Sequence, residues 1–211
     1  MRTRGAILLV AGLLLAACGG AGLFEQPVTS TFHDPQGDTL NLGGTQYDIT
    51  QVRTERTSAN LSVQVTFVQG IFLPGAGQAA TSTQLSGALE LDTDRNPSTG
   101  NASACPTSAG RQTIGVDRYV LLNRRNPNGT YDVVNASGVK TGEASASVSG
   151  STSNVFVLSV DRSALGEVNT NLVVIAGNGQ GGPVAFTPTD CAPDQGGAVV
   201  TRVRVALPGM R

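Results

Sequence analysis

The eight residues Asn60–Phe67, NLSVQVTF, alternate apolar and polar side chains without a break. In an extended strand successive side chains point to opposite faces, so Leu61, Val63, Val65 and Phe67 share one face and Ser62, Gln64 and Thr66 the other. The same period recurs in LSGALELD, which aligns Leu85, Leu89 and Leu91, and in NVFVLSVD, which aligns Phe156, Leu158 and Val160. In AVVTRVRVAL it sets Val199, Thr201, Val203, Val205 and Leu207 against Arg202 and Arg204. YDITQV, DRYVLLN and TYDVVNAS are shorter strand candidates, and NLVVIAG is apolar enough to be covered on both faces. NPNG, SGSTSN and GNGQGGP supply turns between them, and residues 68–84 are expected as a long loop or an edge excursion. Helix signals reduce to VDRSALG, a single turn with Asp161 as N-cap and Gly166 as stop. Some eight strands with almost no helix predict an all-β fold, a two-sheet antiparallel β-sandwich of jelly-roll or immunoglobulin-like topology. Glu90, set between Leu89 and Leu91, is expected on a solvated sheet surface.

The first residues follow another pattern. Arg2 and Arg4 precede an apolar run, Ala6–Ala17, interrupted only by Gly12 and followed by LAAC at Leu15–Cys18. The run is shorter than the ~20 residues that cross a bilayer as a helix, and it fits the apolar region of a secretory signal. LAAC resembles the lipobox of bacterial lipoproteins. That resemblance implies a signal peptide at 1–17, cleavage before Cys18 and acylation of Cys18. A tether over 18–30 and one sandwich domain over 31–208 follow. Several acyl chains anchor firmly where one binds only reversibly. The expected location is the cell envelope, outside the cytoplasm, on the outer membrane where the host has one.

With Cys18 lipidated, Cys105 and Cys191 remain as a pair in an oxidising compartment, and a disulfide is expected, two separate thiols being the alternative. Net charge is −1 and charged residues make up 14%, so no basic surface suggests nucleic acid. Gly177, Gly179 and Gly182 spell GxGxxG after a strand. A dinucleotide site needs a helix opening there, and the following PVAFTPTD has no helical period, so a glycine-rich loop is expected and no nucleotide. The Asn-x-Ser/Thr matches at Asn60, Asn101, Asn128 and Asn135 follow from composition.

The chemistry-bearing stretch is DTDRNPSTG. Asp92, Asp94 and Asn96 occupy alternate positions with Ser98 next, the spacing at which side-chain oxygens and a carbonyl converge on calcium in a short loop. Pro97 stands where an EF-hand has glycine, no Glu closes the loop and neither flank is helical, so further ligands must come from elsewhere. Asp117, Asp34, Asp38 and Asp48 are the candidates. Two carboxylates ~4 Å apart repel by ~4 kcal/mol at an effective dielectric of about 20. The acidic residues therefore either meet around a cation or point apart into water. A single structural Ca²⁺ gathering them is the expectation.

The order DPQGD, YDITQVRTERTSANLSVQVTF, LELDTDRNPSTG, GVDRYVLLN, VDRSALG and TDCAPDQG resembles the DOMON and family-9 carbohydrate-binding sandwiches of secreted bacterial proteins. The resemblance implies a sandwich with metal-linked loops rather than an activity. Sugar-binding aromatics do not carry over, because the chain has no Trp and only Tyr47, Tyr119 and Tyr131. Haem is not expected on similar grounds, since the mature chain offers only His33 and Met210, both at the domain margins. One His and one Lys leave little for a nucleophile and its base, so no catalytic residues are assigned. A pair of carboxylates, for example Glu90 with an Asp, is the arithmetic route to a hydrolase. The expected function is a membrane-tethered, non-catalytic, calcium-stabilised module. Two readings stay open: a binding module whose partner is a glycan, as in a carbohydrate-binding module on the cell surface, or an envelope protein, and a structural envelope lipoprotein whose only ligand is its stabilising ion.

Overall fold

The computed structural model describes residues 27–41, 45–105, 114–149, 153–166, 170–181, 186–193 and, as backbone, 198–200. The signal sequence, Cys18, most of the tether, Gly182, Arg202, Arg204 and Met210 lie outside these residues.

The described chain is almost entirely strand. Its elements are β1 (Val28–His33), β2 (Ile49–Arg56), β3 (Asn60–Phe67), β4 (Leu85–Asp92), β5 (Asn101–Ala102), β6 (Gly115–Val116), β7 (Arg118–Leu121) and β8 (Tyr131–Asn135). They continue with β9 (Lys140–Ser149), β10 (Val155–Asp161), α1 (Arg162–Leu165), β11 (Thr170–Gly179), β12 (Phe186–Ala192) and β13 (Ala198–Val200). β3 covers the alternating octapeptide, and its burial alternates with it, Leu61, Val63, Val65 and Phe67 being buried. β1 begins within the segment read as tether. The one-turn helix forms as expected. Gly166 takes φ 83° and donates its N–H to the Arg162 carbonyl, while Asp161 makes no side-chain cap bond.

The all-β, sandwich-like expectation holds, with one difference in how the layers connect. Ten strands form a single antiparallel sheet in the order β1-β2-β3-β10-β9-β8-β7-β4-β11-β12, and β13 pairs with the first residues of β11. The sheet curls until its two halves face each other. Val52, Val63, Val65, Phe156 and Leu158 from one half share a buried cluster with Leu89, Leu91, Val120, Val133, Leu172 and Val174 from the other. Curling also brings the ends together: β12 packs beside β2, and β13 beside β1. Side chains as well as backbone make this seam. The Tyr47 N–H donates to Thr189 Oγ1, Thr189 Oγ1 donates to the Tyr47 carbonyl, and the Leu40 N–H donates to the Thr189 carbonyl.

β4 is buried along its whole length, which corrects the expectation of a solvated outer face. Leu85, Leu89 and Leu91 do face the main core. On the opposite face Glu90 stands across from Val173 of β11 and Tyr119 of β7. That face is covered by a second cluster of Cys105, Ile114, Val116, Val173, Ile175 and Cys191. Cys105 and Cys191 are disulfide-bonded, Cα to Cα 6.1 Å. Glu90 is consequently 0% exposed, and its carboxylate accepts hydrogen bonds from Ser103 Oγ and, at 2.8 Å, from the Ala104 N–H. Burial is the largest influence on its acidity and pushes it up, with the two donors opposing.

The glycine fingerprint lies in strand. Gly177 and Gly179 are the closing residues of β11, where a Cβ would meet the Thr187 carbonyl oxygen at 2.4 Å and the Ala80 carbonyl oxygen at 2.0 Å. These glycines permit close backbone approach.

Candidate metal centre

The acidic loop starts at the last residue of β4 and is shaped by its own side chains. Asp94 Oδ1 accepts from the Asn96 N–H at 2.8 Å, and Asp94 Oδ2 from Thr99 Oγ1 at 2.8 Å. Asn96 Oδ1 accepts from the Ser98 N–H at 3.1 Å, and the Thr99 N–H returns to the Asn96 carbonyl at 3.0 Å. Polar side chains that bond the backbone two or three residues on favour such turns over a continued strand. After the turn β5 pairs with β6, which delivers Asp117 back beside the end of β4. There the Asp117 N–H donates to the Leu91 carbonyl, and Asp117 Oδ2 accepts from the N–H and hydroxyl of Thr93 at 2.8 and 3.0 Å.

This arrangement brings Asp92, Asp94 and Asp117 together, one carboxylate oxygen from each lying within 4.8 Å of the others. Asp92 is fully buried and Asp94 exposed. Burial pushes the Asp92 carboxyl up, opposed by the Asn171 carboxamide that donates to its Oδ2 at 3.3 Å. The Thr99 hydroxyl and then the Asn96 N–H hold Asp94 below the usual carboxylate range. Asn96 and Ser98 belong to the same loop, and the Asn96 carboxamide oxygen serves the turn through Ser98.

Asp34 and Asp38 do not join this group. They converge with Asp190, again within 4.8 Å, so the single cluster expected from sequence is in fact two. The separation follows from register. Asp92 stands opposite Asn171 and Asp190 opposite Ala176, five residues along β11 and hence about 17 Å apart at ~3.3 Å per residue. Asp190 was not among the residues expected as ligands. Pro188 hid the strand that carries it, because proline argues against a paired strand; the one available signal was its place beside Cys191 in TPTDC. Asp48 lies near this second group, for its charge and that of Asp38 raise the Asp190 carboxyl further after burial has raised it most.

Other polar candidates are less gathered. His33 ends β1 and is exposed. Tyr47 and Tyr131 are fully buried, leaving only Tyr119 part-exposed. Among the described residues no helix is long and apolar enough to cross a membrane. The chain matches no protein-family model and no curated protein.

Proposed function

We propose that this chain is a non-catalytic β-sandwich module of the cell envelope. A lipid on Cys18 holds it outside the cytoplasm, and calcium in the Asp92–Asp94–Asp117 loop keeps it rigid. One observation supports the metal: three carboxylates from two segments each bring an oxygen within 4.8 Å of the others. An ion bound by oxygens at 2.3–2.6 Å spans ~4.8 Å between opposed ligands, so a calcium fits the centre of such a group. Hard, oxygen-only donors suit calcium rather than zinc. Loop carbonyls and water would complete its six to eight ligands. The resemblance of LELDTDRNPSTG to metal-linked sandwich loops agrees with this reading, as LAAC does with the anchor.

The loop ties the end of β4 to the start of β7, so a bound ion would fasten the segment that covers Glu90. Its effect is measurable as thermal stability of the full chain in detergent, with calcium and with a chelator. At a free concentration one hundred times Kd, binding adds ~2.7 kcal/mol. For a chain of this size that corresponds to roughly 5–11 °C in Tm. Asp94→Asn and Asp117→Asn should each remove most of the loop's share. Calcium-induced shifts of the same size in wild type and both variants would refute the loop site. Loss of palmitate incorporation in Cys18→Ser tests the anchor.

A further inference from the structure

The group at Asp34, Asp38 and Asp190 has surroundings that point to a ligand independently of the loop. Asp48, on the approach to β2, is 8% exposed; its Oδ2 accepts from the Gly37 N–H at 2.9 Å. Its Oδ1 is shut off from solvent and has no hydrogen-bond donor among the described residues. Both carboxylate oxygens of Asp38 are in the same position. Asp38 and Asp48 lie close enough for the Asp38 charge to raise the Asp48 carboxyl, after burial has raised it most and the Gly37 N–H has opposed it. Among the described residues Asp38, Asp48 and Asp190 make no ion pair. Carboxylate oxygens withdrawn from water without donor or counter-charge are strongly disfavoured, and the remedy is a positive charge placed among them.

We propose that Asp34, Asp38, Asp48 and Asp190 form a second calcium site, separate from the loop, which locks β12 to the start of β2 and closes the seam of the curled sheet. Asp190 is positioned for this. Its Oδ2 accepts from the Ile49 N–H at 2.6 Å and its Oδ1 from the Cys191 N–H at 2.8 Å, which fixes the carboxylate and leaves a lone pair on each oxygen. The donors are all carboxylate oxygens, the set a hard divalent cation takes, and the 4.8 Å limit on the separation of the Asp34, Asp38 and Asp190 oxygens again matches the diameter of a calcium coordination sphere, with Asp48 beside them. The ligands come from three places: the turn after β1, the approach to β2, and β12. Thr189, the neighbour of Asp190, already stitches the same seam to Leu40 and Tyr47. An ion here would therefore join the first described strands to one of the last.

Asp38→Asn tests the site cleanly, because the Asp38 carboxylate makes no hydrogen bond that an isosteric amide would lose. Equilibrium dialysis of the full chain in detergent against radioactive calcium should give two bound ions in wild type. Asp38→Asn should bind one, with affinity at the lost site reduced at least tenfold; Asp94→Asn should also bind one. Asp48→Asn keeps an acceptor for Gly37 and should repeat the Asp38→Asn result. Melting should invert: Asp38→Asn melts above wild type in chelator, where repulsion is relieved, and below it in saturating calcium. Undiminished binding in Asp38→Asn, with one ion lost in Asp94→Asn, would overturn this site and spare the loop. The opposite loss would spare this site and overturn the loop. Asp38→Asn melting above wild type in both conditions would show that protons rather than calcium relieve the charge, and would also overturn it.

Discussion

The Cys105–Cys191 bridge joins residues 86 apart in sequence, and its removal should cost this protein much of its stability. In the chain-entropy view, a cross-link of that span removes about 15 cal/mol/K from the unfolded ensemble, ~4.6 kcal/mol at 25 °C. Residual order in the reduced denatured chain lowers the realised value, so a loss of roughly 2–4 kcal/mol is expected. That is a large part of the ~5–15 kcal/mol by which domains are stable, and it corresponds to roughly 4–16 °C in Tm. Urea unfolding of oxidised protein, reduced protein and the Cys105→Ala/Cys191→Ala variant separates the bond from the buried sulfur volume. The m-value should rise in both uncross-linked forms, because their unfolded chains expose more surface. The position of the bridge also predicts where the protein loosens first. Cys105 holds down the segment whose Ser103 and Ala104 bond Glu90, so the Ala104 amide should lose exchange protection before the β4 amides do. Equal midpoints and m-values for oxidised and reduced protein would refute the reasoning.

Two further perturbations probe the sheet. In Gly87→Ala the new Cβ would lie 2.0 Å from the Ile175 carbonyl oxygen at a φ of +125°, so roughly 2–5 kcal/mol of stability should be lost to strain and overpacking. Gly138→Ala, at φ +77° with nothing within 4 Å, should lose only about 1 kcal/mol; equal urea midpoints for the two would discount the close approach. Burial pushes the hydroxyls of Tyr47 and Tyr131 up to about 12. Because the folded values exceed the unfolded value of ~10, the stability they contribute is complete below pH 10 and is lost as pH rises toward 12. Tyrosinate absorbance, unobscured in a chain without Trp, should therefore appear together with alkaline unfolding for these two residues. Ordinary titration near pH 10 of a still-folded protein would contradict it.

Period-two alternation made the strands with one apolar face legible. β3 and β10 were read to the residue or nearly so, because nothing but burial on one side dictates their sequence. β9, Lys140–Ser149, was missed because its small and polar residues give no apolar row, although Ala144 is fully buried. β12 was missed because Pro188 interrupts it. Glu90 was misplaced for a related reason: alternation reports which face meets the main core, and it is silent on whether another segment covers the opposite face. The acidic loop could be read because its ligand-type residues Asp92, Asp94 and Asn96 are adjacent in sequence, and the pairing of β5 with β6 returns the chain to Asp117. The second cluster depends on how the sheet curls, which brings residue 190 to residues 34–48, and no local pattern encodes that closure.

Why cross-links should be needed at all follows from the covering segment. Between Asp92 and Asp117 its described residues contribute few apolar side chains, chiefly Ile114, Val116 and Cys105. So few apolar side chains bury little surface against the entropy of ordering the segment, and it is held instead at fixed points: the disulfide at Cys105, the two donors held by Glu90, and the carboxylates at Asp92, Asp94 and Asp117. With calcium bound at the loop as proposed, a segment fastened at such points should respond to the agents that undo them, reductant at the first and chelator at the last. Reductant and chelator together should then free the cover and expose Glu90 while the Leu89–Leu91 core, which depends on neither, stays packed.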